Sequence, residues 1–158
     1  VRCNSLIEKE IEIAVNQSEQ EAKRKGLLFL QNVDSKLFGF AVESIKFRQI
    51  IKNISENAVK YTIEGFVKVE TNLDGTGNVV VIVDDSGIGI SNFDKKSVFK
   101  AYTRGNNCGE RPGSGIGLAV TKQAVEDLGG DISLTSNSYG GTTVKVCIPI
   151  SNLVCQTF

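Results

Sequence analysis

The chain has 158 residues, the length of one ordinary domain, and 41% of them are hydrophobic, which is enough for a packed core. Its 18 lysines and arginines balance 18 aspartates and glutamates, so the formal net charge is zero. This balance argues against nucleic acid or an anionic membrane surface as the main partner, because both attract a basic excess.

Histidine is absent from the sequence, and its cysteines are scattered. The sequence has no histidine, which excludes Ser-His-Asp triads and histidine general bases. The longest apolar run, residues 79–83, is far shorter than the roughly 20 residues of a membrane span. Because the chain begins at Val1 and contains no methionine, we expect it to be a piece of a longer protein. The four cysteines form no CxxC pair and are expected to be free thiols in a reducing cytosol: Cys3, Cys108, Cys147 and Cys155.

The first part of the chain predicts two helices separated by one strand. Apolar residues recur at helical spacing over residues 5–25, and Gly26 is expected to end that helix. Residues 27–33 read as a strand followed by a turn. The second helix is predicted over residues 44–62, with Ser44 as its N-cap.

The remainder predicts four strands and one long helix. The strands are expected at residues 66–73, 78–84, 131–136 and 142–148. A glycine-marked polar stretch spans residues 86–117, with a short helix near residues 94–102, and a longer helix follows over residues 116–128. This order predicts an α/β (α+β) two-layer sandwich, a mixed sheet of about five strands with helices on one face. The domain is expected to span residues 1–149, and residues 150–158 to form a C-terminal tail.

A polar stripe runs along one flank of the second predicted helix. Asn53, Asn57 and Lys60 are spaced i, i+4 and i+7, so they lie together at the rim of the buried face. Carboxamide oxygens suit a hard cation such as Mg²⁺, and lysine suits phosphate. Taken alone, the stripe also fits an ordinary solvated helix flank.

Two glycine-rich segments follow, each ambiguous by itself. Asp85 comes at the end of a buried strand, and Gly87 and Gly89 would let the backbone approach a flat ring such as adenine. Residues 113–118 (GSGIGL) open a helix with free backbone N–H groups, which favours phosphate. Their spacing matches neither the dinucleotide GxGxxG nor the P-loop GxxxxGK[ST].

Two shorter segments complete the set. In residues 98–105, Phe99 and Tyr102 are expected to anchor a loop from which Arg104 reaches a phosphate. Residues 140–143 (GGTT) predict a turn that aims the hydroxyl of Thr142 inward. A solvated loop and a plain hairpin connection remain open as alternatives for these two segments.

Taken in order, the five elements strongly resemble the catalytic ATP-binding domain of sensor histidine kinases. They correspond to that family's N, G1, F, G2 and G3 boxes, and residues 53–62 (NISENAVKYT) are similar to its N box almost letter for letter. The resemblance covers about residues 5–149 and implies the Bergerat-type fold shared with gyrase and MutL. One small departure is Tyr102, where the family often has a phenylalanine.

The resemblance implies a site for ATP and Mg²⁺. Asn57 would hold the metal, with Asn53 and Lys60 assisting, while Asp85 would bind adenine and Thr142 its water network. Arg104 would hold the phosphates and, with Asn53 and Lys60, act by positioning and charge neutralisation. The nucleotide site would also include residues from the remaining box positions: Tyr61, Gly87, Gly89, Ile90, Gly113, Ser114, Gly115, Ile116, Gly117 and Leu118.

The resemblance also implies partners. The family's phosphoacceptor histidine lies on a preceding dimerisation domain, and this sequence contains no histidine. We therefore expect a cytoplasmic domain that passes the γ-phosphoryl group to a histidine on that separate domain, and from there to a response regulator. Nucleic acid and direct membrane contact are not expected, and a membrane anchor on the parent protein is left open.

Three other functions compete with this interpretation: an ATP hydrolase of the gyrase or MutL type, a non-catalytic nucleotide-binding module, and a related serine or mitochondrial-type protein kinase. The intact set of Asn57, Asp85, Gly115 and Gly117 argues against a degenerate module. The hydrolases resemble one another in having a glutamate four residues before the metal-binding asparagine. That position is Asn53 here, and a carboxamide cannot take a proton from water.

Overall fold

The computed structural model describes residues 5–42, 45–87 and 115–154, which form a five-stranded sheet covered by helices and a separate two-stranded pair. The helices are α1 (Ile7–Lys25), α2 (Ile45–Lys60) and α3 (Gly115–Asp127), with short 3-10 turns at Ser35–Leu37 and Ile150–Asn152. The strands are β1 (Ser5–Leu6), β2 (Leu28–Val33), β3 (Ala41–Val42), β4 (Phe66–Leu73), β5 (Asn78–Asp85), β6 (Asp131–Ser136) and β7 (Thr142–Pro149). Among these residues, no helix is both long and apolar enough to cross a membrane.

The main sheet has five strands in the order β2-β4-β5-β7-β6. Strand β2 runs parallel to β4, and the other neighbours are antiparallel. Alternate residues of the central strands point into the core, including Val69 and Val81, whereas Lys68 and Lys145 lie on the other face. The predicted mixed sheet with helices on one face is confirmed.

The helix layer is built on α1 and α2. Phe47 and Ile54 of α2 are almost completely buried, and burial of such side chains contributes about 1.5–3 kcal/mol each. Gly26 ends α1 in the left-handed conformation, as predicted, with φ of 79°. The preceding Lys25 then reaches the end of α2, where its ammonium donates to the carbonyls of Val59 (2.5 Å) and Lys60 (3.2 Å).

Polar contacts fix how the two helices pack. The guanidinium of Arg48 donates to both carboxylate oxygens of Glu10 at 2.8 Å each, and Glu10 is only 5% exposed. This pairing holds the pKa of Glu10 below its ordinary value. The buried hydroxyls of Ser18 and Ser55 are 3.0 Å apart at the same interface. These contacts set the register in which α2 presents its polar flank.

The structure differs from the prediction at both ends of the described chain. The start of the predicted first helix is a strand, and part of the predicted tail packs on the domain. Residues 5–6 were predicted to begin the first helix, but they form β1, which pairs with β3. That pairing joins segments far apart in sequence, so local periodicity does not reveal it. After β7, Leu153 is buried in the core and Val154 bridges to Val42. The predicted N-cap Ser44 and the short helix near residues 94–102 lie outside the described residues.

Candidate active site

Three segments adjoin around the end of β5: the residues that follow α2, Asp85 and Gly87 themselves, and the turn that joins β6 to β7. Helix α3 follows β5 in the order of described elements, and the hydroxyl of its Thr121 contacts the Asn53 side chain of α2. The site therefore lies at one end of the sheet, beside the helix layer.

Asp85 is the buried centre of this region. It is the last residue of β5 and is 7% exposed. Its Oδ1 accepts hydrogen bonds from the backbone N–H groups of Gly87 (2.9 Å) and Thr142 (3.2 Å). Burial raises the pKa of Asp85 above its ordinary value, and the neighbouring Asp84 adds to that rise, although the two N–H donors oppose it.

The other carboxylate oxygen, Oδ2, is left for a ligand. No described residue donates a hydrogen bond to it. A buried carboxylate with one oxygen anchored and the other open is suited to accept a hydrogen bond from an amine.

Two glycines allow the backbone to close around this carboxylate. A Cβ at Gly141 would lie 2.0 Å from the carbonyl oxygen of Asp85. A Cβ at Gly87 would lie 2.6 Å from the carbonyl oxygen of Tyr61 and 2.8 Å from the hydroxyl of Thr62. Both approaches are closer than any side chain permits, which explains why glycine occupies each position.

The two asparagines of the α2 flank are partly buried. The carboxamide of Asn53 donates to the hydroxyl of Thr121 on α3 at 3.3 Å, and Thr121 is 1% exposed. One turn further along, no described residue hydrogen-bonds to the side chain of Asn57. Among the described residues, the side chain of Asn57 is therefore without a hydrogen-bond partner.

Lys60 and Tyr61 lie at the end of α2. Lys60 is exposed and, together with Glu56, lines an open groove of about 610 Å³ between α1 and α2. Tyr61 is partly buried, and its carbonyl faces Gly87. Lys60 therefore borders both the α1 groove and the end of the helix that carries the asparagines.

The remaining predicted residues divide between α3 and the part of the chain that is not described. Gly115, Ile116 and Gly117 form the first turn of α3, and Leu118 packs against the core. Outside the described residues lie Gly89, Ile90, Arg104, Gly113 and Ser114.

The sequence analysis did not identify the residues that hydrogen-bond to the predicted site residues and position them. Asn137, in the β6–β7 turn, hydrogen-bonds to the backbone of Asp85. Thr121 meets Asn53, and the hydroxyl of Thr62 is buried against α2, where it donates to the Ala58 carbonyl at 2.7 Å. An asparagine before two glycines is typical of a turn and was the one available signal for Asn137.

This donor set fits a purine nucleotide and a hard cation. The open oxygen of Asp85 is an acceptor for an exocyclic amine, and the carboxamide oxygens of Asn53 and Asn57 are ligands that Mg²⁺ accepts. Within the residues that the structure describes, no cluster of three or more Asp, Glu, Cys or His forms a metal site.

Comparison with known proteins identifies the family. Residues 42–152 match the family described as histidine kinase-, DNA gyrase B-, and HSP90-like ATPase. The sensor protein EvgS of Escherichia coli (strain K12) is 35% identical over 108 residues, covering 66% of this chain and 9% of that protein. The aerobic respiration control sensor protein ArcB of the same strain is 35% identical over 139 residues, covering 84% of this chain and 18% of that protein. The chain spans less than a fifth of these curated relatives.

A solved structure agrees with the assignment at the level of fold. Full-length ShkA in complex with AMPPNP superposes with a TM-score of 0.79 at 22% identity, covering 100% of this chain and 34% of that one. The family resemblance seen in the motif order is thus confirmed. This chain belongs to the histidine kinase-, DNA gyrase B-, and HSP90-like ATPases and is homologous to the catalytic ATP-binding domains of sensor histidine kinases.

Proposed function

We propose that this domain binds Mg²⁺–ATP beside the polar flank of α2 and donates the γ-phosphoryl group to a histidine on a separate domain. The observation that carries the proposal is the hydrogen bonding of the Asp85 carboxylate. One carboxylate oxygen is fixed by two backbone N–H groups, and the other is open. An acceptor oxygen in a largely buried position favours a ligand that donates a hydrogen bond, and a base with an exocyclic amine does so.

Base recognition follows from the chemistry of Asp85. The amine of adenine donates to Oδ2, whereas guanine has a carbonyl oxygen at the corresponding ring position. Two acceptors facing each other in a buried site lose a hydrogen bond and repel. A site built around a buried polar group rejects such a mismatch by several kcal/mol. The site therefore selects ATP over GTP.

The α2 flank would hold the metal and phosphates. Asn57 is the proposed ligand of Mg²⁺, with Asn53 oriented beside it by Thr121. When bound, Mg²⁺ neutralises negative charge on the phosphate oxygens. Lys60, Arg104 and the backbone at the start of α3 are proposed to bind the phosphates, with Tyr61, Ile90 and Thr142 near the base.

The chain's own residues supply positioning rather than a nucleophile. Phosphoryl transfer passes through a loose transition state, so orientation and charge neutralisation account for most of the catalysis. This sequence has no histidine, so the acceptor must come from elsewhere. We propose that it lies on a dimerisation domain of the same kinase, which passes the group to a response regulator in the cytoplasm. The catalytic domain is proposed to extend beyond residue 149, because Leu153 packs in its core and Val154 pairs with Val42.

Nucleotide titrations test the base-recognition step. Calorimetry with Mg²⁺–ATP and Mg²⁺–GTP should show at least a hundredfold preference for ATP, or about 2.7 kcal/mol. In Asp85→Asn the NH₂ group of the carboxamide, a donor, would face the amine of adenine, also a donor, so the preference should fall below tenfold. The matched control is Asp84→Asn, because Asp84 accepts a hydrogen bond from Thr143 on the other side of the strand. Equal affinities for ATP and GTP in the unchanged chain would refute the role of Asp85.

A labelling experiment tests the transfer step. Incubated alone with γ-labelled ATP, the chain should remain unlabelled, because it has no histidine. Added to a separately prepared histidine-bearing domain of the same kinase, it should label that domain with acid-labile phosphate, at a rate proportional to domain concentration. Acid-stable labelling of the isolated chain would indicate serine or threonine kinase chemistry instead.

A further inference from the structure

The turn between β6 and β7 is organised by a single side chain, Asn137. Its Oδ1 accepts hydrogen bonds from the backbone N–H groups of Tyr139 and Gly141, both at 3.0 Å. Its Nδ2 donates in another direction, to the backbone carbonyl of Asp85 at 2.9 Å, and also lies 3.5 Å from the Thr143 hydroxyl. With two N–H groups on one side and a carbonyl on the other, only one orientation of the carboxamide satisfies all the contacts.

The two ends of this side chain do different work. Accepting backbone N–H groups two and four residues ahead is a turn-forming role that aspartate or serine could also fill. The Nδ2 donor is the feature particular to asparagine, and it contacts a residue 52 positions away in sequence. The turn alone does not require this second contact.

Asp85 is consequently held at two points by one turn. Asn137 binds its backbone carbonyl, and Thr142, which follows the turn, donates its N–H to Oδ1. Gly141 makes this possible, because any Cβ there would meet the Asp85 carbonyl. If the turn shifts, the backbone of Asp85 and the N–H that anchors its carboxylate move together.

We infer that Asn137 is a positioning residue for base recognition, which fixes Asp85 so that Oδ2 faces the amine of the bound nucleotide. This inference rests on the proposed function of Asp85 and extends it to a residue outside the five sequence boxes. Asn137 acts through Asp85, so its removal lowers ATP affinity while leaving GTP affinity largely unchanged. If Asn137 had a purely structural role, its removal would instead lower the melting temperature and weaken the binding of both nucleotides alike.

Two substitutions at this position separate the roles. Asn137→Asp keeps the acceptor for Tyr139 and Gly141 but replaces the donor with an oxygen that faces the Asp85 carbonyl. Asn137→Ala removes both ends of the carboxamide. The matched control is Asn78→Ala at the opposite end of β5, where the Asn78 carboxamide donates to Asp74 (3.3 Å) and Thr76 (3.0 Å) in another turn.

The test measures the ratio of ATP to GTP affinity by calorimetry, together with hydrogen exchange of the Thr142 amide, in the intact chain. We expect the ratio to fall at least fivefold in Asn137→Asp and Asn137→Ala, with faster exchange at Thr142. In Asn78→Ala both quantities should match the unchanged chain. Should Asn137→Ala fail to fold, Asn137→Asp alone decides the question.

Asp85→Asn, measured in parallel, separates the two proposals. If it abolishes the ATP preference while both Asn137 variants keep it, the positioning role of Asn137 is refuted and the proposed function stands. If Asp85→Asn itself leaves the preference unchanged, base recognition by Asp85 is refuted, and the inference about Asn137 falls with it.

Discussion

Asn53 and Glu56 are three residues apart on α2 and face different neighbours. The carboxamide of Asn53 donates to Thr121 of α3 at 3.3 Å, on the side of the candidate active site. Glu56 instead lines the groove between α2 and α1, beside Gln17 and Ser18. Glu56, the one carboxylate of α2, thus lies on the α1 side of the helix, whereas Asn53 lies on the α3 side.

This geometry predicts slow ATP hydrolysis by the isolated domain. Loss of a general base reduces a rate by roughly 10²- to 10⁴-fold, and Asn53 cannot serve as one. Steady-state phosphate release should therefore be far below the roughly 1–10³ s⁻¹ typical of enzymes. Glu56→Gln should leave this low rate unchanged. Rapid turnover that survives Asn53→Ala but disappears in Glu56→Gln would favour a hydrolase over a kinase.

Removal of the proposed metal ligand should weaken nucleotide binding only when Mg²⁺ is present. Asn57→Ala is expected to lower the affinity for Mg²⁺–ATP at least tenfold, or about 1.4 kcal/mol, because a carboxamide oxygen is lost from the metal. With EDTA in the buffer, the variant and the unchanged chain should bind ATP alike. Lys52→Ala, on the exposed side of the same helix, is the control. A folded Asn57→Ala with unchanged Mg²⁺-dependent affinity contradicts the assignment.

The raised pKa of Asp85 predicts opposite pH effects on binding and on folding. As the pH falls through this pKa, Oδ2 ceases to be a free acceptor, so ATP affinity should decline at a higher pH than an ordinary aspartate would cause. The native state holds this proton more tightly than the unfolded chain, so the same group favours folding at low pH. That contribution is lost as the pH rises through the folded pKa. Calorimetry measures the ATP affinity and denaturant titration the free energy of unfolding, each over a series of pH values. The unchanged chain should show both effects, and Asp85→Asn neither.

The Thr71 hydroxyl tests how much an unpaired polar group in the core destabilises the fold. Its hydroxyl oxygen on β4 is fully buried and has no hydrogen-bond partner among the described residues. Thr71→Val removes an unsatisfied polar group at nearly constant volume and should raise the free energy of unfolding by about 1 kcal/mol. Thr62→Val is the contrasting variant, because the Thr62 hydroxyl donates to the Ala58 carbonyl at 2.7 Å. Denaturant titration should show stabilisation for Thr71→Val and destabilisation for Thr62→Val.

Much of the fold was set by patterns within single segments. The alternation of residues 66–73 predicted β4, and the helical spacing of Phe47, Ile50 and Ile54 predicted α2 almost to its ends. The order of the five motifs was enough to predict the family, which the comparisons confirm. These features depend on neighbouring residues and on chain order, so the sequence by itself determined them.

Tertiary structure alone decided the contacts between distant segments. The pairing of residues 5–6 with β3 and the Arg48–Glu10 ion pair bring together residues that share no local pattern. The clearest case is Asp85, which sequence reasoning selected as the base-binding residue but could not orient. Its two anchors come from the β6–β7 turn, 52 and 57 residues further along the chain. Only the packing of β7 against β5 brings that turn to the carboxylate, and so leaves one oxygen fixed and the other open.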